Sequence, residues 1–263
     1  MNFREKITLG RTGLKVSRLG LASGYGIPAA PIEKAFHEHG INYFFWSNPR
    51  RKGMGEALKN IARTDREKAV IAVQSYDHAG LLTVRAVDTA LKAIGTDYAD
   101  ILILGWHNSV PGGRIMELCR RMKEAGRIRF VGMSGHKRTT FGALARMQDC
   151  PIDVFMLRYN AAHTGAEADI FPHLQKNNRP GITVYTATSW RKLLKPGSMP
   201  EGEKPLSASD CYRFVLSNPS VDLCHFGPSN EEQMLEGLAA LEKGPLSEEE
   251  MSRIRKIGTY GHG

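Results

Sequence analysis

A chain of 263 residues with 41% hydrophobic content can bury one full core, and about 250 residues is the usual size of a single (β/α)8 barrel. The net charge of +9 is spread over Arg50-Arg-Lys52, Arg120-Arg121, Lys137-Arg138 and Arg191-Lys192 with no interleaved aromatics, so nucleic acid is not an expected partner. No apolar run approaches the ~18 residues of a membrane span, and the opening Met-Asn-Phe-Arg-Glu-Lys carries no apolar signal, so no membrane partner and a cytoplasmic location are expected.

Residues 6–18 alternate in polarity around Thr12-Gly13, which predicts a short N-terminal β-hairpin plugging one end of the main fold. Strand-like runs then recur at 19–22, 43–46, 70–73, 101–104, 130–133, 154–157, 182–185 and 223–226. Helix-period runs lie between them at Ile32/Ala35/Phe36, Met54/Ala57/Leu58/Ile61, Val84/Val87/Leu91/Ile94, Ile115/Leu118/Cys119/Met122 and Ile170/Phe171/Leu174. Two more fall at Ala208/Cys211/Val215 and Met234/Leu238/Leu241. Strict alternation of strand and helix predicts a parallel sheet, and eight units close it. An open dinucleotide-binding sheet would show Gly-x-Gly-x-x-Gly after its first strand, which Ala22-Ser-Gly-Tyr-Gly-Ile-Pro28 does not supply.

Ser247 caps a last helix with carboxylates in its first turn, and the tail 258–263 is expected to fray. The fold class expected is therefore α/β: a (β/α)8 TIM barrel with an N-terminal β-hairpin and a C-terminal helix, forming a single domain over 1–263. Cys119, Cys150, Cys211 and Cys224 lie far apart without a Cys-x-x-Cys pair, which predicts reduced core thiols. No three candidate ligands sit at a metal-like spacing, so no metal is expected.

Chemistry is expected at Gly95-Thr-Asp-Tyr-Ala-Asp-Ile-Leu-Ile-Leu-Gly-Trp-His-Asn108. There a helix stops, a continuously apolar strand runs, and polar residues emerge at its carboxyl end, the working face of a barrel. This stretch resembles the fourth strand of aldo-keto reductases. The resemblance extends to Leu9-Gly-Arg-Thr-Gly-Leu-Lys-Val-Ser-Arg-Leu-Gly20, Gly40-Ile-Asn-Tyr-Phe44, Gly55-Glu-Ala-Leu58, Gly126-Arg-Ile-Arg-Phe-Val-Gly-Met-Ser134, Arg158-Tyr-Asn160 and Gly227-Pro-Ser-Asn-Glu-Glu-Gln233.

The resemblance implies an oxidoreductase that uses NADPH or NADH on the carbonyl or alcohol of a small molecule. It also implies a catalytic tetrad of Asp, Tyr, Lys and His, yet the matching positions hold Phe45, Arg50, Gln74 and Gly105. Residues two apart on a strand face the same side about 6.6 Å apart. By that spacing His107 shares the side of Gly105, and Tyr76 that of Gln74. A migrated acid/base pair of Tyr76 and His107 is therefore expected, with room beneath His107 at Gly105 and with Arg50 or Arg51 holding an anionic group.

On the dinucleotide side the resemblance implies that Ser134 holds the nicotinamide carboxamide, although the family's Asn and Gln partners are Gly135 and Met156 here. Tyr185 would carry the nicotinamide ring, and loop 186–191, with Thr186 and Arg191, would cover the pyrophosphate. Gly227, Ser229 and Asn230 open a helix whose free N–H groups attract phosphate. Gln233 matches an adenine-side contact, and Ser23 joins the set at the first strand's exit. Ser229 replaces the usual basic residue for the 2′-phosphate and Gly237 the usual Asn, which leaves the choice of NADPH or NADH open. Two other readings stay in play: a non-catalytic nicotinamide-nucleotide binder, and a barrel lyase or isomerase using no hydride. No feature of the sequence specifies an oligomeric state.

Overall fold

The computed structural model describes residues 2–47, 50–175 and 177–261. A hairpin of β1 (Ile7–Thr8) and β2 (Lys15–Val16) comes first. Eight strands, β3 (Leu19–Ala22), β4 (Tyr43–Trp46), β5 (Val70–Ser75), β6 (Ala99–Leu104), β7 (Ile128–Ser134), β8 (Val154–Arg158), β9 (Gly181–Tyr185) and β10 (Leu223–Phe226), then form a closed barrel. Every neighbouring pair is parallel, β10 with β3 included. Outside the barrel lie α1 (Ala29–His37), α2 (Lys52–Asp65), α3 (Gly80–Ile94), α4 (Gly113–Glu124), α5 (Arg138–Arg146), α6 (Ala166–Asp169), α7 (Ala208–Leu216), α8 (Glu231–Lys243) and α9 (Glu248–Tyr260). No helix among the described residues is long and apolar enough to cross a membrane.

The strands alternate between two apolar layers, as a sheet buried on both faces must. Tyr43, Phe45, Ala72, Ile101, Ile103, Val154, Met156 and Leu223 fill the interior. Phe44, Trp46, Val73, Leu102, Leu104, Val131 and Phe155 pack outward against the helices. The hairpin closes the amino-terminal floor, with Leu9, Leu14 and Val16 in the interior cluster. The expected plug is therefore present.

One device recurs along that floor. Asn42 Oδ1 accepts from Ser17 N, joining β3 to β4 at their starts. Asp100 Oδ2 accepts from Ile71 N (β5/β6), Asp153 Oδ2 from Val131 N (β7/β8) and Asp222 Oδ2 from Ile182 N (β9/β10), all at 2.8–2.9 Å. Each carboxylate also meets a cation: Arg66 on Asp100, Lys123 on Asp153 and Arg179 on Asp222. The barrel is thus pinned in consecutive strand pairs at the end opposite the site.

Three helical expectations need correction. α5 carries no expected apolar run, yet Phe141, Leu144 and Ala145 are buried, and Gly142 lies so close to α6 that a Cβ would stand 2.3 Å from Asp169 O. The run Ile170/Phe171/Leu174 forms no regular helix: α6 has only four residues and a 3₁₀ turn, Phe171–His173, follows, because Pro172 lacks the N–H that would continue it. The tail does not fray at 258, since α9 continues to Tyr260 behind a capping box of Ser247 and Glu250; residues 262 and 263 lie outside the described residues. The four cysteines are buried and unpaired, as expected.

Candidate active site

The carboxyl ends of the strands form a mouth around which the inward-facing chain ends converge. A cavity of about 330 Å³ opens there between the ends of β3, β9 and β10. Tyr185, Thr186, Arg191, Gly227, Ser229 and Gln233 line it, six of the expected cofactor contacts. The remaining three do not line it. Ser23 is buried between the cavity-lining Ala22 and Gly24, its Oγ without a hydrogen-bond partner among the described residues. Asn230 caps α8, its Oδ1 accepting from Gln233 N at 2.9 Å. Ser134 is buried and accepts at Oγ from Gln74 Nε2 at 3.0 Å.

The helix terminus expected to attract phosphate is more occupied than the sequence implied. Gln233 Oε1 accepts from Ser229 N and Oγ, and Asn230 takes the Gln233 N–H, so two N–H groups of this terminus are already committed. Tyr25 folds over Gly227, where a Cβ would stand 2.9 Å from its ring. The covering loop has an unusual backbone: Thr186, Ser189, Trp190 and Arg191 all adopt positive φ of 48–68°. Such left-handed non-glycine residues cost of order 1–3 kcal/mol each and cluster at ligand clamps. Asn160 helps hold the loop, donating from Nδ2 to Thr186 O at 2.7 Å.

Residues that sequence reasoning missed complete the wall. Tyr212 and Glu236 come from α7 and α8, and Trp190 from the loop. His225 enters from β10 with 5% exposure, and neither ring nitrogen has a partner among the described residues. Its ring meets Tyr43 and Phe45 edge-on, at 5.4 and 5.1 Å between centroids, and burial pushes its pKa down to about 3. It is a neutral imidazole at the base of the cavity. Alternation along β10 was the available signal, because Leu223 and His225 share the inward side.

The expected acid/base pair is not assembled as the strand spacing implied. Trp106 has φ 58°, so extended geometry stops before His107 and the two-residue extrapolation fails. His107 is buried, stacks on His78 at 4.1 Å and does not line the cavity. Burial, and then His78, push its pKa below the usual histidine range. The room expected at Gly105 is filled: a Cβ there would stand 2.5 Å from Gln74 Nε2 and 2.9 Å from the Tyr76 ring. Tyr76 is 43% exposed, borders a second, more open cavity with Ser47 and Asp77, and tilts against Trp106. Arg50 is exposed at the turn before α2 and Arg51 lies close to Gly26, neither within the cavity wall.

Tyr185 is where the mouth converges electrostatically. Burial pushes its phenol up, the Arg158 guanidinium pulls the other way, and the Tyr76 phenol adds to the rise. Among the described residues no group of three His, Cys, Asp or Glu is placed to hold a metal.

A barrel with this mouth has known relatives. The model of the aldo/keto reductase family matches residues 29–192, and the chain belongs to that family, whose general activity is oxidoreduction. Among curated proteins it is 23% identical to the aldo-keto reductase YhdN of Bacillus subtilis, over 96% of this chain and 93% of that one. Among solved structures it resembles the holo form of the aldo-keto reductase AKR11C1 of Bacillus halodurans (TM-score 0.78, 22% identity, 96% of each chain). It also resembles an aldo-keto reductase of Klebsiella pneumoniae in complex with NADPH (TM-score 0.76, 22% identity, 97% and 95% coverage). At such identity these likenesses speak for the fold alone.

Proposed function

We propose that this chain, as one domain over 1–263, is an NADPH- or NADH-dependent oxidoreductase acting on the carbonyl or alcohol of a small molecule, with acid/base groups unlike the family's tetrad. The cavity walled by Tyr185 and by Gly227, Ser229 and Gln233 carries this reading. It has the size of a small-molecule or cofactor site. It also offers an aromatic face at one end and a helix terminus at the other. The Klebsiella pneumoniae relative is in complex with NADPH, which is in keeping with that fit.

When bound, a reduced nicotinamide supplies hydride. This chain's residues would do the rest: Tyr185 would give the ring a face to stack on, Arg191 and Gly227 would border the diphosphate, and Gln233 and Glu236 would face the adenine end. Neutral His225 closes the cavity base against Tyr43 and Phe45. Tyr76, of the three expected catalytic residues, is the proton donor in this reading: its phenol is exposed and its ring stands over Gly105 at the end of β6. Arg50 and His107, like Tyr76, do not line the cavity.

Calorimetric titration tests the reading. Wild-type protein should bind NADPH or NADH, and Tyr185→Ala should weaken binding by about tenfold, the loss of an aromatic stacking contact worth ~1–1.5 kcal/mol. Absence of binding of either dinucleotide at millimolar concentration would remove both the oxidoreductase and the sensor readings.

A further inference from the structure

We propose that Arg158 is a carboxylate-binding residue, and that the substrate class is small carbonyl acids, 2-oxo acids in particular; this rests on the oxidoreductase reading above. Three observations carry it. Arg158 follows Val154 and Met156 on β8, both in the barrel interior, so by alternation it faces inward at the mouth. It is the direct register partner of Tyr185 on β9. Neighbouring strands lie about 4.8 Å apart, so its backbone stands beside that of Tyr185 and its charge is felt at the Tyr185 phenol, while its side chain lines a small neighbouring cavity with His136 and His163.

The third observation is the lack of an anion. Arg11, Arg66, Arg179 and Arg213, four arginines with little exposed side-chain surface, each meet Asp or Glu. Arg158 is half-buried, and among the described residues no carboxylate stands within ion-pair distance of it. Its guanidinium carbon lies 5.8 Å from the centre of the Trp190 ring. Trp190 sits on the left-handed segment of the covering loop, and its other neighbour is the His163 ring at 6.0 Å. A guanidinium held against an aromatic face keeps its donor edge available, and its fork matches a carboxylate in two parallel hydrogen bonds.

A permanent anion fits this position better than a transient alkoxide. An unpaired, partly desolvated guanidinium gains from an anion already in the ground state, and a carboxylate next to the reacting carbonyl places that carbonyl beside Tyr185. The carboxylate is a handle and takes no part in the bond changes. The cofactor phosphates are the competing anion: Gly227 and Ser229 lie on the far side of Tyr185 from β8, but Arg191 follows Trp190 in the loop, so dinucleotide binding is measured alongside.

The test is calorimetric titration of phenylglyoxylate and of its methyl ester into wild-type, Arg158→Gln and Arg158→Lys proteins, each with and without saturating dinucleotide, whose own binding is measured separately. Expected is a preference of about tenfold or more for the acid over the ester in wild-type protein. It should be lost in Arg158→Gln and reduced in Arg158→Lys, with dinucleotide affinity unchanged in both. Equal binding of acid and ester, binding of neither, or a preference that survives in Arg158→Gln overturns the proposal. Weakened dinucleotide binding in Arg158→Gln also overturns it, by assigning the residue to the cofactor. A protein that binds the acid through Arg158 but binds no dinucleotide overturns the oxidoreductase reading and leaves the carboxylate site standing.

Discussion

His225 is a buried imidazole whose pKa is held near 3 because no carboxylate or hydrogen-bond partner among the described residues offsets the loss of hydration. Free histidine titrates near 6.5. Between those values the unfolded chain binds a proton that the folded chain does not, so this residue's contribution to stability is lost as pH falls through the window. His107, with its pKa also lowered, acts in the same direction. On lowering pH from 7 to 5, this single group should cost wild-type protein about 2 kcal/mol, a loss that His225→Leu should abolish. Urea unfolding at both pH values measures it, and equal pH dependence in the two proteins would show that the imidazole is hydrated or paired in solution.

The same scale shows why the acid/base groups were illegible in the sequence. At three positions where glycine replaces a family side chain, another part of this chain fills the space. Gln74 fills the volume above Gly105, the His107 carbonyl stands 2.1 Å from where a Cβ of Gly135 would be, and the Phe226 and Tyr212 rings crowd Gly237. The alternation rule reads strand positions correctly up to Gly105, but one left-handed residue, Trp106, cancels it for the next. Local backbone of this kind leaves no periodic trace.

At the scale of elements, the floor is pinned by Asn42, Asp100, Asp153 and Asp222, one for each consecutive pair of barrel strands. Asp100 is 1% exposed and holds Arg66 and Arg129 as well as the Ile71 N–H. Removing one partner of a buried ion pair leaves the others desolvated and unpaired. Asp100→Ala should therefore destabilise the protein by about 3–5 kcal/mol in chemical unfolding, and Asp100→Asn by less, since an amide oxygen still accepts from Ile71. A loss below about 0.5 kcal/mol in Asp100→Ala, the range of ordinary surface changes, would mean that the strand pairs do not need the pin. The four residues were in plain view, each a polar residue between apolar ones, but a repeat one residue long every two βα units is too sparse to register as a pattern. The hairpin plug and the cap at Ser247 were legible because turn and capping chemistry is local.

Over the whole molecule, the alternation of short apolar strands with amphipathic helices was enough to specify a closed parallel barrel, because a sheet covered on both faces imposes its pattern on every strand. The cavity was legible only where the resemblance supplied positions: Tyr185, Thr186, Arg191, Gly227, Ser229 and Gln233. Tyr212, Trp190 and His225 reach it from segments that only the closed barrel brings together. α9 contributes at a distance, since Gly258 packs so tightly against Ala161 O that it braces the segment after β8 carrying Asn160 and His163. Diffraction from crystals soaked with NADPH tests the central assignment most directly. The nicotinamide should appear against Tyr185, the diphosphate between loop 186–191 and Gly227, and the adenine toward Gln233 and Glu236. A cavity without dinucleotide density at saturating NADPH, or a dinucleotide bound elsewhere on the barrel, would contradict it.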